Sequence, residues 1–351
     1  MTWDYFTGLT AELEEDAASL QELKNQLEEA RRGRDKRRRR EIEHRIDEHL
    51  RELKQNMTQS LDGDPGKILA GKLLDQSAIW WFQDWSFSED VRRIIYMQTA
   101  QELIISEPGK VSDDIDLRPT LMALPSSAWL GLQVDFELLT PWYSKDDRFF
   151  HPLDNPVRKD RVFGVPFMSA ASWKGLLRWA CRMQEGLREH LEQGKRFKEW
   201  KDPNWILHLF GNEKGEEKYF HQGALVFYPT WFDKIGFEVI NPHSRERRAG
   251  TQPIYYEVVP PGAKGTLYLL YAPWPGMKPA ADPAEFLPRL LEAIETLLTT
   301  YGISAKRTVG WGTAKIVGWK AFRKGLRSVE GNDRGELWAQ IESWFQAGGT
   351  P

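Results

Sequence analysis

The sequence predicts an α+β protein with a ferredoxin-like (RRM-like) core, a helical extension before it and a helix after it. Three observations carry this. Leu130, Leu132, Val134, Phe136 and Leu138 alternate with Gly131, Gln133, Asp135 and Glu137, the period-two pattern of a half-buried strand. From there the elements run strand, helix, strand, strand pair, helix, strand, the split βαβ order. Ahead of them, residues 11–57 hold no proline and one glycine and are dense in Glu, Lys, Arg and Leu.

Composition sets the bounds. With 351 residues, 41% hydrophobic and 16 Trp, the chain has apolar surface for a sizeable core, and wholesale disorder is excluded. No apolar run approaches the roughly 20 residues needed to span a bilayer, so no membrane partner is expected. Cys181 is the single cysteine, which rules out an internal disulfide and a cysteine-based zinc cluster. The opening Met1-Thr2-Trp3-Asp4-Tyr5 lacks the basic and apolar regions of a secretory signal, and a cytoplasmic protein is expected. Forty-eight basic against 51 acidic residues give −3, so any nucleic-acid surface is local.

In the extension, assigned to residues 1–120, Leu13, Leu20 and Leu27 repeat every seven residues, and Ile42, Ile46, Leu50, Leu53 and Met57 form a second stripe. The phase changes across the basic run Arg31–Arg40. This favours a coiled-coil-like hairpin over about 11–57, turning near Gly33, over one long helix. The run either holds RNA phosphates or is a solvated turn paired with neighbouring Glu. Leu61-Asp62-Gly63-Asp64-Pro65-Gly66 is a turn cluster before the aromatic stretch Ile79–Trp85, and a further helix is expected around Val91–Ile105.

The core is assigned to 121–351. After the first strand, Ser169 or Ser172 can cap a helix in which Leu176, Ala180, Met183, Leu187 and Leu191 fall at helical spacing. Ala224–Tyr228 is a second strand. Ile254–Val259 and Thr266–Tyr271 read as a hairpin around Pro260–Gly265. Leu287, Leu290, Leu291, Ile294, Leu298 and Tyr301 mark a helix stopped by Gly302, Lys315–Trp319 is the last strand, and Leu337, Trp338, Ile341, Trp344 and Phe345 a C-terminal helix.

The standard enzyme signatures are missing: no Walker A loop, nucleophile elbow, zincin motif or dinucleotide fingerprint. The seven His are scattered, and His44 and His49, five apart, face different directions. Three local features remain. Ser169, Ser172, Lys174 and Arg178 cluster at a helix start, where they either hold a phosphate or simply cap the helix and face water. Gly302–Gly312 places Lys306, Arg307 and Trp311 among Gly310 and Gly312, either a close approach for a ligand or a tight helix-to-strand connection. His243, Arg245, Arg247 and Arg248 form a basic patch between strands. Three such loops around one core suggest binding of an RNA backbone.

These residues also carry a resemblance. Residues 130–320 resemble the RAMP superfamily of type III CRISPR effector subunits. Asp154 through Arg178 is similar to its aspartate loop and Ser-Ser-Leu-Lys-Gly helix start, with Phe167-Met168 in place of Pro-Gly and Trp173 in place of Leu. Leu209-Phe210-Gly211, the glycine-led strand Gly223–Phe227, Glu257-Val258-Val259-Pro260-Pro261-Gly262 and Thr308–Gly312 follow in the family's order. The resemblance implies a backbone or end-capping subunit that binds CRISPR guide RNA, meets target RNA and assembles with other type III subunits in antiviral defence. It implies Asp154 as the target-cleaving aspartate of a metal-dependent endoribonuclease, with Asp146 and Asp147 as helpers and a divalent ion (Mg or Mn) if cleavage occurs. The rival readings are a non-cutting cap of the same complex, a free-standing repeat-RNA endoribonuclease using His151 or His243, and a coiled-coil scaffold.

Overall fold

The computed structural model describes residues 19, 22–23, 25–33, 35–60, 104–106, 116–146, 153–160, 163–212, 221–242, 250 and 252–346. The chain divides into two units: residues 1–99 with 148–154, and residues 100–147 with 155–351.

In the first unit residues 25–32 are helical and the helix gives way to a turn at Gly33. The Asp35 carboxylate then accepts hydrogen bonds from the backbone N–H groups of Arg37 and Arg38, both at 3.1 Å, and caps helix α1 (Lys36–Ser60). The helix is therefore interrupted where the sequence phase changes. Leu23, Ala30 and Ile42 are buried, while the described basic residues from Arg31 to Arg40 are exposed. The aromatic stretch Ile79–Trp85 lies outside the described residues, as does most of the helix expected over 91–105. Its expected last residue, Ile105, lies instead in strand β1 (Ile105–Ser106).

The second unit is built on a five-stranded antiparallel sheet. In chain order it uses β2 (Leu130–Leu138), β4 (Leu225–Phe227), β8 (Lys264–Tyr271), β9 (Ala314–Phe322) and β10 (Val329–Gly331). Their spatial order is β10-β9-β2-β8-β4, so the first of these strands lies between the fourth and the third. Two helices provide the crossovers: α2 (Ala170–Gln184) between β2 and β4, and α5 (Pro283–Thr296) between β8 and β9. Between α2 and β4 come the short helices α3 (Leu187–Glu192) and α4 (Asn204–Phe210).

Alternation along β2 sends Leu130, Leu132, Val134, Phe136 and Leu138 into the core, all at most 2% exposed. The helices cover that face: the Trp173 ring of α2 meets Phe136 edge-on at 6.1 Å, and α2 packs against α5. On the opposite face Gln133 and Thr266 both donate to the Asp135 carboxylate, and Leu121 packs over Gly131.

One expectation is overturned. The runs expected to pair as a hairpin around Pro260–Gly265 belong to different sheets. β7 (Ile254–Val258) pairs with β6 (Lys234–Ile240), whose other edge takes β1, whereas β8 pairs with β2 and β4. Pro260 and Pro261 offer no N–H for a ladder and Gly262 turns at φ +77°, so the chain changes sheet there. A two-stranded ribbon, β3 (Phe167–Met168) with β5 (Thr230–Trp231), stands before α2. The C-terminal helix is two pieces, α6 (Arg334–Ile341) and α7 (Ser343–Gln346), with Leu337 and Ile341 buried.

Candidate nucleic-acid interface

The site grows from the chain leaving β2 and the glycine-rich loop leaving α5, whose last turn widens into a π-helical turn over Leu297–Tyr301. Ser304 sews the two together. Its buried hydroxyl accepts from the Tyr143 backbone N–H at 3.0 Å and donates to the Tyr143 carbonyl at 3.1 Å. Trp142 Nε1 donates to the Ile303 carbonyl at 3.0 Å, and the Ala305 N–H to Tyr143 O at 2.8 Å.

Glycine makes the loop possible. Gly302 and Gly312 have φ of +76° and +88°, and a Cβ on Gly312 would clash with the Ser304 nitrogen. The Ile303 N–H to Gly312 carbonyl bond at 2.9 Å closes the loop on itself.

The two cations at the loop's start turn to different neighbours. Lys306 Nζ sits 5.1 Å from the centre of the Tyr256 ring on β7. The Arg307 guanidinium lies 4.4 Å from the Trp179 ring on α2, and Trp179 also meets Tyr301 edge-on at 4.8 Å. Both contacts are short enough for cation–π attraction. Arg307 Nη1 is buried without a hydrogen-bond partner, and burial lowers the pKa of the guanidinium, which stays charged all the same. Trp311 is half-buried and packs edge-on against Tyr256 at 5.6 Å and Tyr143 at 6.4 Å, so it belongs to a ring cluster rather than standing as an open platform. Gly310, at φ +84°, is exposed.

At the start of α2, Ser169 caps the helix: its hydroxyl accepts from the Ser172 N–H at 3.2 Å and lies 2.9 Å from the Ser172 hydroxyl. Lys174 is exposed. Arg178, expected to face water or a phosphate, turns inward. Arg178 and Arg182 share the Asp202 carboxylate, with contacts of 2.5 Å and 2.6 Å, and all three side chains are nearly buried. A carboxylate contributed by the α3–α4 connection was invisible to helical spacing.

The segment after Asp154 is pinned to β7. Asn155 Nδ2 donates to the Tyr255 carbonyl at 3.1 Å and the Glu257 N–H to Asn155 O at 3.0 Å. Glu257 accepts from the Val157 N–H at 3.0 Å and pairs with Lys159 at 2.5 Å, both side chains fully buried. Asp154 itself is exposed, and Asp146 is nearly buried, its carboxylate 3.5 Å from the Lys159 N–H. Asp147, His151, His243, Arg245, Arg247 and Arg248 lie outside the described residues. Among the described residues no three His, Cys, Asp or Glu side chains converge as metal ligands.

Sequence reasoning therefore found the loop and the capped helix start but missed Tyr143, Tyr256, Trp179 and Ser304. Ser304 lies inside the glycine-rich loop; Tyr143 had no local signal, because Ser304, to which it is hydrogen-bonded, is 161 residues away.

The fold and site define an α+β protein with an antiparallel sheet and a cationic, aromatic loop at its helix-bearing side. A family model, the RAMP superfamily, matches residues 135–315, more than half of the chain, which therefore belongs to that superfamily. In structure it is similar to a chain of the type III-B Cmr-beta complex bound to cognate target RNA, solved by cryo-EM: 14% identity, 76% of this chain and 93% of that chain covered, TM-score 0.46. No curated protein matches it. Among the described residues no helix is long and apolar enough to cross a membrane.

Proposed function

We propose that this RAMP protein is a guide-RNA-binding subunit of a type III CRISPR ribonucleoprotein, built on a ferredoxin-like platform. The order of sheet strands and crossover helices supports the platform. The observation that carries the RNA-binding reading is Arg307: a guanidinium over the Trp179 ring, with a buried nitrogen lacking a partner, on a loop whose other cation lies over Tyr256. A cation desolvated without a carboxylate is costly, and a phosphate oxygen is the group that would compensate it. Lys174, Ser169 and Ser172 would extend the same track along α2, and Gly310 and Gly312 would let backbone approach backbone. The loop carrying His243, Arg245, Arg247 and Arg248 would add charge from the β6–β7 connection.

Cleavage of target RNA at Asp154 is the second half of the proposal. An exposed carboxylate, followed in the chain by Asn155 whose backbone is fixed on β7, is suited to orient a ribose hydroxyl toward its neighbouring phosphate. The described residues do not assemble a divalent-ion site around it, so no step is assigned to a metal.

Two experiments test the reading. Purification from the host should yield other type III subunits and bound RNA of guide sequence; a particle without nucleotide would refute it. In the assembled complex Asp154→Ala should keep RNA and lose one target cut, whereas an unchanged cut would make this chain a non-cutting cap.

A further inference from the structure

The turn of the first unit gathers charge where a helix tolerates it least. From Arg31 to Arg40 the chain holds seven arginines, one lysine and a single acid, Asp35. Lys36 to Arg40 open α1, whose first turn has no acidic residue. A helix N-terminus carries the positive end of the backbone dipole, so cations there are repelled. Lys36 and Arg40, one turn apart, repel each other as well. Neutralisation from within is slight. Arg32 meets Glu28 at 3.6 Å and Arg39 meets Glu43 at 2.8 Å, both pairs open to water. Asp35 is engaged in capping the helix. Among the described residues Arg31, Lys36, Arg37, Arg38 and Arg40 form no ion pair, and all five are exposed. Ala30 before them and Ile42 after them are buried, so the cations are presented from two anchored helix ends. An arrangement that works against its own helix is offset by an external polyanion.

We infer that residues 31–40 form a sequence-independent binding site for nucleic-acid phosphates, carried by the extension and not by the RAMP domain. Arginine outnumbers lysine seven to one in the run, and its planar fork grips an oxyanion by two atoms at once. Phosphate is favoured over the carboxylates of a protein by what the run leaves out. It contains no apolar or aromatic side chain. It therefore offers a protein partner nothing to bury at an interface core, and a base nothing to stack on. Phosphate contacts need charge alone. The inference goes beyond the guide-binding reading and does not depend on it.

The test titrates the full chain against two fluorescent probes, a mixed-sequence single-stranded RNA and a duplex DNA, at several salt concentrations, with thermal melts alongside. The quadruple variant Arg31→Gln, Arg37→Gln, Arg38→Gln, Arg40→Gln should lower the slope of log affinity against log salt by about 3, since each phosphate contact adds roughly 0.7 on a single strand and 0.9 on a duplex. Its melting temperature should hold or rise, because like charges leave the helix start. A loss on one probe alone identifies that nucleic acid as the ligand. The same four positions changed to Lys should keep the slope and bind more weakly, the ammonium having no fork. Unchanged slopes on both probes, or a parent that binds neither at low salt, would overturn the inference. So would a Gln variant that binds both probes like the parent yet loses another subunit from the purified particle, which would make the ligand an acidic protein. The guide-binding reading is scored separately: the effect of the quadruple variant should persist in an Arg307→Gln background, and if Arg307→Gln alone changes nothing, that reading loses its loop while this site stands.

Discussion

Lys159 Nζ and Glu257 Oε1 meet at 2.5 Å with no exposure left on either side chain. Two charges taken fully out of water must satisfy one another, and the backbone of Val157 adds its N–H to the same carboxylate. Breaking one partner leaves an uncompensated buried charge. Lys159→Met alone should cost about 3–5 kcal/mol in urea denaturation, and the double variant with Glu257→Gln, which keeps an acceptor for Val157, should recover most of it. A double variant as unstable as the single one would show that the pair is not what holds the segment.

Asp202 supplies an acid limb. Burial pushes its carboxyl pKa up, but the hydrogen bonds from Arg182 and Arg178 outweigh burial and hold it below the ordinary value. A depressed folded-state pKa adds stability that is whole above the unfolded carboxyl pKa of about 3.9 and disappears as pH falls through the folded value. Thermal melts between about pH 2 and pH 5 should fall steeply for the parent and less so for Asp202→Asn. At pH 7 the same variant should already be destabilised by about 3 kcal/mol or more, because two guanidiniums lose their carboxylate.

For the loop cations, Arg307→Gln should weaken RNA binding and lower the slope of log affinity against log salt by about 1. Trp179→Leu, which removes the ring under the guanidinium but no charge, should weaken binding with the slope nearly kept. Equal slopes in parent and Arg307→Gln would remove Arg307 from the interface.

The loop glycines are not equivalent. Gly310→Ala meets open space and should cost about 1 kcal/mol, the strain of a left-handed backbone. Gly312→Ala adds a clash with the Ser304 nitrogen and should cost several times more, read from denaturation midpoints. Similar costs for the two would mean that the loop is not closed against Ser304.

How much of this the sequence discloses depends on range. The alternation along β2 and the Ser169 cap are local patterns, and the observed elements lie where those patterns put them. The divorce of β7 from β8 was not legible, because strand propensity says that a run is extended but not which sheet receives it. Arg178 faces inward for a related reason: helical spacing places it beside Lys174, and only the distant Asp202 decides which way it turns. Tyr143 and Ser304 are ordinary residues until the chain folds.

That last pair has a consequence for synthesis. Tyr143 and Ser304 stand 161 positions apart in a chain of 351, so a chain growing on the ribosome carries the first for nearly half of its translation before the second exists. The joint between the β2 exit and the glycine-rich loop thus closes only when the domain is nearly complete.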